Sequence, residues 1–130
     1  LNEGSYDVGM PRYVVLLHKT PVHYARGTHF DLMLENEGVL LTWGVPELPR
    51  TDAAVAGERL PDHRLVYLDY EGLVAGDRGS VQRVEGGEFE WIEMTPTRFQ
   101  AQVVGKKMRG RLVIEQDAKE PQRWRVALSD

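Results

Sequence analysis

Thr28-His29-Phe30-Asp31-Leu32-Met33-Leu34-Glu35 is the stretch whose reading decides the fold of this chain. Apolar residues alternate with potential metal ligands. In a β-strand, His29, Asp31 and Met33 share one face, and Phe30, Leu32 and Leu34 take the other. One face is expected to pack and the other to be available for chemistry. Asp and His are poor strand formers, so their place inside a regular apolar alternation asks for a reason beyond local propensity. Metal coordination is one such reason. The plain alternative is a half-exposed strand whose outer face carries a His and an Asp.

Upstream, Arg12-Tyr13-Val14-Val15-Leu16-Leu17-His18 is a β-branched and apolar run ending at a His, and the following Lys19-Thr20-Pro21 should stop it. Downstream, Glu35-Asn36-Glu37-Gly38 predicts a turn, and Val39-Leu40-Leu41-Thr42-Trp43 predicts a buried strand closing a hairpin on the central one. Pro46 and Pro49 predict an irregular Val45–Ala56 segment. Leu65–Glu71 fits a strand with His63 at its mouth. Beyond it come short strands at even spacing: Ser80–Val84, Glu88–Met94, Arg98–Val104, Arg109–Gln116 and Arg123–Leu128. Gly86-Gly87, Thr95-Pro96-Thr97, Gly105-Lys106-Lys107 and Asp117–Pro121 connect them, giving the rhythm of an antiparallel meander.

No stretch carries a long 3.6-residue apolar period, and closing a sheet removes its exposed edges. The expected fold is therefore all-β and mainly antiparallel, a small closed or partly closed β-barrel with few short helices. Residues 1–11 are polar, carry Gly4 and Gly9 and lack periodicity, so they read as a disordered tail or tag remnant. Residues 12–130 read as one domain, because 130 residues suffice for a single substantial core.

The chain has no cysteine, so any transition metal must be held by His and carboxylates, which excludes a Cys-based zinc module. No segment approaches the apolar length of a membrane span or a secretory signal, and a cytoplasmic location without membrane partners is expected. A formal net charge of −4 means that nucleic-acid binding would have to come from a local basic patch.

The strongest constellation is His18, His29 and Asp31, a two-His, one-carboxylate set from two neighbouring strands. Such a set suits Mn, Fe or Zn and leaves positions open for water and substrate. His23, six residues before His29, is a rival to His18. A strand end holds a ligand more rigidly than a loop does, which favours His18. His63 stands between Asp62 and Arg64; a His and an arginine there could bind a phosphate, making His63 and Arg64 the catalytic candidates. Arg26 and Arg59 could join His63 in phosphate binding. Lys106, Lys107, Arg109, Arg111, Arg123 and Arg125 form the densest basic region. Lys107, Arg109 and Arg111 would share a strand face that either tracks a nucleic-acid backbone or is simply solvated. Trp43, Trp91 and Trp124 read as packing residues before base-stacking ones.

Together these blocks resemble the 3'-phosphoesterase domain of bacterial DNA ligase D, and more closely its short stand-alone members, from Arg12 to the C-terminus. Arg12–His18 resembles the family's opening strand with its metal-binding His. Thr28–Glu35 resembles its His-aromatic-Asp-x-x-Leu-Glu, and Gly38–Pro46 its Gly-Val-Leu-x-x-Trp-x-Val-Pro. Asp62-His63, with Tyr67 and Asp69-Tyr70-Glu71-Gly72, resembles the segment bearing its phosphate-binding His, and Gly105–Arg111 its late hairpin. The resemblance implies a small β-barrel and Mn-dependent removal of 3'-phosphates or 3'-ribonucleotides from DNA ends in repair. His18, His29 and Asp31 would be its metal ligands and His63 its phosphate contact. Zn or another divalent ion could replace Mn, and separate ligase or polymerase chains would be partners.

The chain departs from the pattern in three places. Met33 stands where ligase-linked members usually have an arginine, the loop between His18 and His29 is longer by five residues, and residues 1–11 lack the family's Arg-Asp-bearing arm. A module that binds DNA ends or a repair partner with little or no catalysis is therefore the alternative reading. A third is a non-haem iron oxygenase using His29, Asp31 and His63 as its facial triad.

Overall fold

The computed structural model describes residues 9–130. Residues 1–8 of the expected tail lie outside the described residues. Gly9 and Met10 are exposed, whereas the carbonyl of Pro11 accepts a hydrogen bond of 3.0 Å from the Phe89 amide.

The strands are β1 (Arg12–Lys19), β2 (His29–Asn36), β3 (Val39–Val45), β4 (Val55–Arg64), β5 (Gly72–Leu73), β6 (Ser80–Thr95), β7 (Arg98–Gly105), β8 (Arg109–Gln116) and β9 (Trp124–Ser129). The fold is all-β and every pairing is antiparallel. Eight of the nine strands form a ring in the order β1-β2-β3-β4-β9-β8-β7-β6, shut by a β1–β6 pairing, with β5 attached to β6. Closure satisfies the edges that an open sheet would leave as unpaired backbone. The only helical piece among the described residues is a 3₁₀ turn at Leu65–Leu68.

Three element assignments differ from the sequence reading. Val55–Arg64 is a strand despite Pro61, because Pro61 falls where the β3–β4 register shifts between Leu40 and Thr42, a bulge where a missing N–H costs no ladder bond. Leu65–Leu68 is a 3₁₀ turn because β3 begins at Val39, opposite Arg64, so residues beyond Arg64 have no strand left to pair with. Gly86-Gly87 is no connector but the middle of a single strand, β6. Its first half pairs with β1 and its second with β7. A Cβ at Gly87 would collide with the Val104 carbonyl, so glycine is required where β6 passes from one partner to the other.

Strand alternation sorts the apolar residues into two clusters. Inside the ring, Tyr13, Val15, Leu32, Leu34, Trp43, Phe89, Phe99, Leu112, Ile114, Trp124 and Val126 are buried together, so the interior is a packed core and not a pore. Outside it, Val14, Leu16, Met33 and Leu40 from β1–β3 are covered by Leu68, Val74 and Val81. The segment from the 3₁₀ turn through β5 thus lies across the outer surface of β1–β3. Both faces of β2 therefore pack. The expected chemical face does so at Met33, which is fully buried.

Candidate metal centre

The outer cluster ends in polar residues. His18 pairs with His29, and Leu16 with Asp31, across the β1–β2 ladder, so both imidazoles and the carboxylate leave the same outer face within one strand repeat. One candidate ligand atom from each of His18, His29 and Asp31 lies within 4.8 Å of the others. The His18 and His29 ring centroids are 5.0 Å apart.

Backbone carbonyls fix both rings. A carbonyl can only accept, so His18 Nε2, 2.7 Å from the Arg78 oxygen, is its protonated nitrogen, and Nδ1 carries the lone pair. His29 donates from Nδ1 to the Gly27 oxygen at 2.7 Å, leaving the lone pair on Nε2. Those two lone-pair nitrogens are the ones that face Asp31: His18 Nδ1 is 3.6 Å from Oδ2 and His29 Nε2 is 2.9 Å from Oδ1. Carbonyl partners of this kind orient metal-binding imidazoles.

Asp31 is 2% exposed, and its Oδ1 has no hydrogen-bond partner despite the short approach of His29, whose ring is not aligned to donate to it. A buried, orphaned carboxylate oxygen beside two imidazole lone pairs is costly unless a proton or a cation sits among them. Burial pushes the Asp31 carboxyl up, but hydrogen bonding and positive charge from the neighbouring imidazoles, when a proton rather than a cation sits among the three groups, outweigh it and hold it at about 2. Asp31 in turn raises the His18 imidazole, against the lowering effect of burial.

The cluster opens into a cavity of about 400 Å³ whose walls include Tyr24, Arg26, His63, Tyr67 and Arg78. His63 donates from Nδ1 to the Pro61 oxygen at 2.9 Å, which leaves Nε2 for a ligand, and Tyr67 packs edge-on against its ring at 5.6 Å. Arg26 is held by Glu58 at 2.6 Å.

The other residues singled out in the sequence lie elsewhere. His23 is exposed and meets Asp77 at 3.2 Å, away from the cluster. Arg59 points into the ring, its guanidinium 4.6 Å from the Trp43 centroid and also over Phe99 and Trp124. Arg64, next to His63 in β4, lines a neighbouring cavity. Arg109 and Arg111 lie on β8, opposite β2 around the ring, and Lys107 is in the β7–β8 turn and not on their strand. The iron-triad reading named His63 as third ligand, but the residue that converges with His29 and Asp31 is His18. Sequence reasoning missed Tyr24 and the two orienting carbonyls of Gly27 and Arg78. Backbone oxygens carry no residue-type signal, and a lone loop tyrosine carries little.

Residues 21–116 match the family described as the DNA Ligase D 3'-phosphoesterase domain. The chain belongs to that family. His18 lies just before the matched segment, so its place beside His29 and Asp31 is a statement of geometry. Among known relatives of this phosphoesterase-domain chain, the multifunctional non-homologous end joining protein LigD of Pseudomonas aeruginosa is 38% identical over 70 residues, covering 52% of this chain and 8% of that protein. The protein of that name from Mycolicibacterium smegmatis is 40% identical over 76 residues, covering 52% and 10%. The multifunctional non-homologous end joining DNA repair protein LigD of Mycobacterium tuberculosis is 39% identical over 61 residues, covering 45% and 8%. This member of the 3'-phosphoesterase family matches a tenth or less of the length of these relatives. No helix among the described residues is long and apolar enough to cross a membrane.

Proposed function

We propose that this chain is a divalent-metal-dependent phosphoesterase that removes a terminal phosphate or ribonucleotide from DNA 3' ends during repair. Residues 12–130 form the working unit in this reading. The observation that carries it is the buried Asp31 carboxylate, its Oδ1 without a hydrogen-bond partner, with His29 Nε2 against that oxygen and His18 Nδ1 against the other, at the floor of a cavity walled by His63.

His18, His29 and Asp31 would hold the ion. Mn²⁺ is the ion this reading names, and the donor set also suits Zn²⁺. When bound, the cation supplies Lewis-acid charge neutralisation at a phosphoryl oxygen. The protein's own groups do the rest. His63, with Nδ1 committed to Pro61, presents Nε2 to the phosphate; as the imidazolium it would give its Nε2 proton to the departing 3'-oxygen as water attacks phosphorus and the P–O3' bond breaks. Arg26, steadied by Glu58, adds a guanidinium at the rim of the same cavity. The Arg78 and Gly27 carbonyls keep the two imidazoles oriented, and the Asp31 charge would neutralise part of the ion's charge. The relatives' names place those proteins in non-homologous end joining, and in this reading the chain acts in the cytoplasm beside separate ligase or polymerase chains.

The test is incubation with Mn²⁺ and a primer-template ending in a 3'-phosphate or a single 3'-ribonucleotide, beside His29→Ala. Product from the wild type alone is expected. Absence of product, with Mn²⁺ binding retained and lost in the variant, would leave the metal site standing and refute the activity. One observation favours a second reading as a binding module: Met33 is sealed in the outer apolar cluster, where the family usually places an arginine. DNA-end binding without turnover would support it.

A further inference from the structure

Beyond the wall formed by Tyr67 and Arg78, a second cavity of about 240 Å³ is lined by Arg64, Val66, Tyr67, Tyr70, Leu73 and Arg78. Its composition differs from the rest of the surface. Val66 and Leu73 are apolar yet 52% and 78% exposed. Tyr67 and Tyr70 meet edge to face at 5.8 Å and are both half-buried. Arg64 and Arg78 make no ion pair with a carboxylate among the described residues, and no acidic residue lines the cavity. Arg78 is held in place from both ends: its Nε donates to the Ala75 oxygen at 2.6 Å, and its own carbonyl orients His18.

The cavity on the opposite side of the cluster is larger, about 570 Å³, and shares Arg26 and His29 with the metal cavity. There, however, Arg26 is neutralised by Glu58 at 2.6 Å and Arg123 lies 3.9 Å from Glu120. Of the two flanks, only the tyrosine-lined one combines π faces, uncovered aliphatic surface and uncompensated positive charge. Single-stranded nucleic acid is recognised by that combination, with bases on aromatic platforms and phosphates on cations.

We propose that this cavity is the subsite for the last nucleoside of the DNA strand, the one whose 3'-oxygen carries the group to be removed. Its base lies on Tyr70, Val66 and Leu73, Arg64 contacts the phosphodiester on its 5' side, and Arg78 spans the two cavities. The proposal rests on the reading of the metal cavity as a 3'-end phosphoesterase site. It gives Arg64 a role in strand binding and not in the chemical step.

The test pairs Tyr70→Ala and Arg64→Ala with two 3'-phosphorylated single strands that differ only in whether the terminal nucleotide has a base. Tyr70→Ala is expected to raise KM roughly 5- to 100-fold on the normal strand, as loss of one base–aromatic stack does. On the strand lacking the terminal base it should change KM by less than twofold. Arg64→Ala should raise KM on both strands and make the dependence of log KM on log salt shallower by about 0.7, one phosphate contact's worth. Mn²⁺ affinity should stay at the wild-type value in both variants, which shows that the site is folded. An equal Tyr70→Ala penalty on both strands, or an unchanged salt slope in Arg64→Ala, overturns the subsite. If the wild type shows no turnover, the same comparison is read as Kd by fluorescence anisotropy of labelled strands. The primer-template assay then decides the phosphoesterase reading, and the Kd comparison decides the subsite.

Discussion

Two carboxylates are buried among the described residues, and they are treated in opposite ways. Glu85, 5% exposed, sits inside one end of the ring beneath the β7–β8 turn. It accepts from the Tyr13 hydroxyl at 2.7 Å, from the Met108 amide at 2.9 Å and from the Lys107 amide at 3.2 Å. Gly105 passes so close that a Cβ there would collide with both Tyr13 and Glu85. Asp31, on the outside of β2, is buried still further but keeps an oxygen without a donor, and its neighbours offer lone pairs. A carboxylate whose oxygens are answered by amides and a hydroxyl is a structural tie. One left unanswered at a cavity floor, beside two imidazoles, is a donor set suited to a cation. The contrast separates architecture from chemistry more sharply than burial alone does.

The largest expected effect comes from breaking the outer carboxylate. Asp31→Asn should lower phosphate release by at least about a thousandfold and remove Mn²⁺ binding, because its neutral amide cannot neutralise a divalent ion. In EDTA at pH 7 it should also cost roughly 2 kcal/mol of unfolding free energy, because the folded state holds this carboxyl at about 2, below its ordinary 3.8, and the amide loses that charge. Denaturant unfolding of the metal-free proteins checks the second half. Glu85→Ala should cost more stability and spare the ion. It strands the Lys107 and Met108 amides and leaves the Tyr13 hydroxyl only the Met108 carbonyl at 3.3 Å, so stability should fall by about 3 kcal/mol or more, while Mn²⁺ affinity of the folded fraction is unchanged.

Ligand linkage gives the next effect in size. Mn²⁺ at a hundred times its Kd should stabilise the wild type by about 2.7 kcal/mol, and Asp31→Asn by nothing measurable. A stabilisation that survives in the variant would place the ion elsewhere.

Smallest is the hydroxyl that answers Glu85. Burial, and then the hydrogen bond to Glu85, push the Tyr13 phenol well above its ordinary value of 10.0. The unfolded phenol loses its proton near pH 10 while the folded one keeps it, so this stabilisation is full below pH 10 and is lost as pH rises beyond it. Tyr13→Phe should cost about 1.5–3 kcal/mol at pH 7 and should show a shallower alkaline decline than wild type. Equal slopes above pH 10 would mean that Tyr13 is not the titrating group.

Much of the outer site was legible because strand alternation is strict. Thr28–Glu35 places His29 and Asp31 on one face, and the run ending at His18 supplies the third residue once β1 and β2 pair. What alternation cannot say is which face of a closed sheet is concave. Glu85 therefore left no trace in the sequence: beside Gly86-Gly87 it reads as turn chemistry, whereas it points into the ring. Arg59 was misplaced for the same reason. An arginine flanked by Glu58 and Leu60 reads as exposed, yet its register with Trp43 turns it inward onto three aromatic rings. The strand around Pro61 was hidden because a bulge excuses the missing donor, and no local signal announces a bulge.

The ring's order of closure bears on how the chain acquires its structure. β1 finds its second neighbour only in β6, and β4 finds its own only in β9, residues 124–129. A growing chain therefore carries two unpaired sheet edges until β9 has been made. Non-local pairings of this kind are slow to form and exposed to strand exchange while they wait. His18, His29 and Asp31, by contrast, come together through the β1–β2 hairpin alone, before either closure is made.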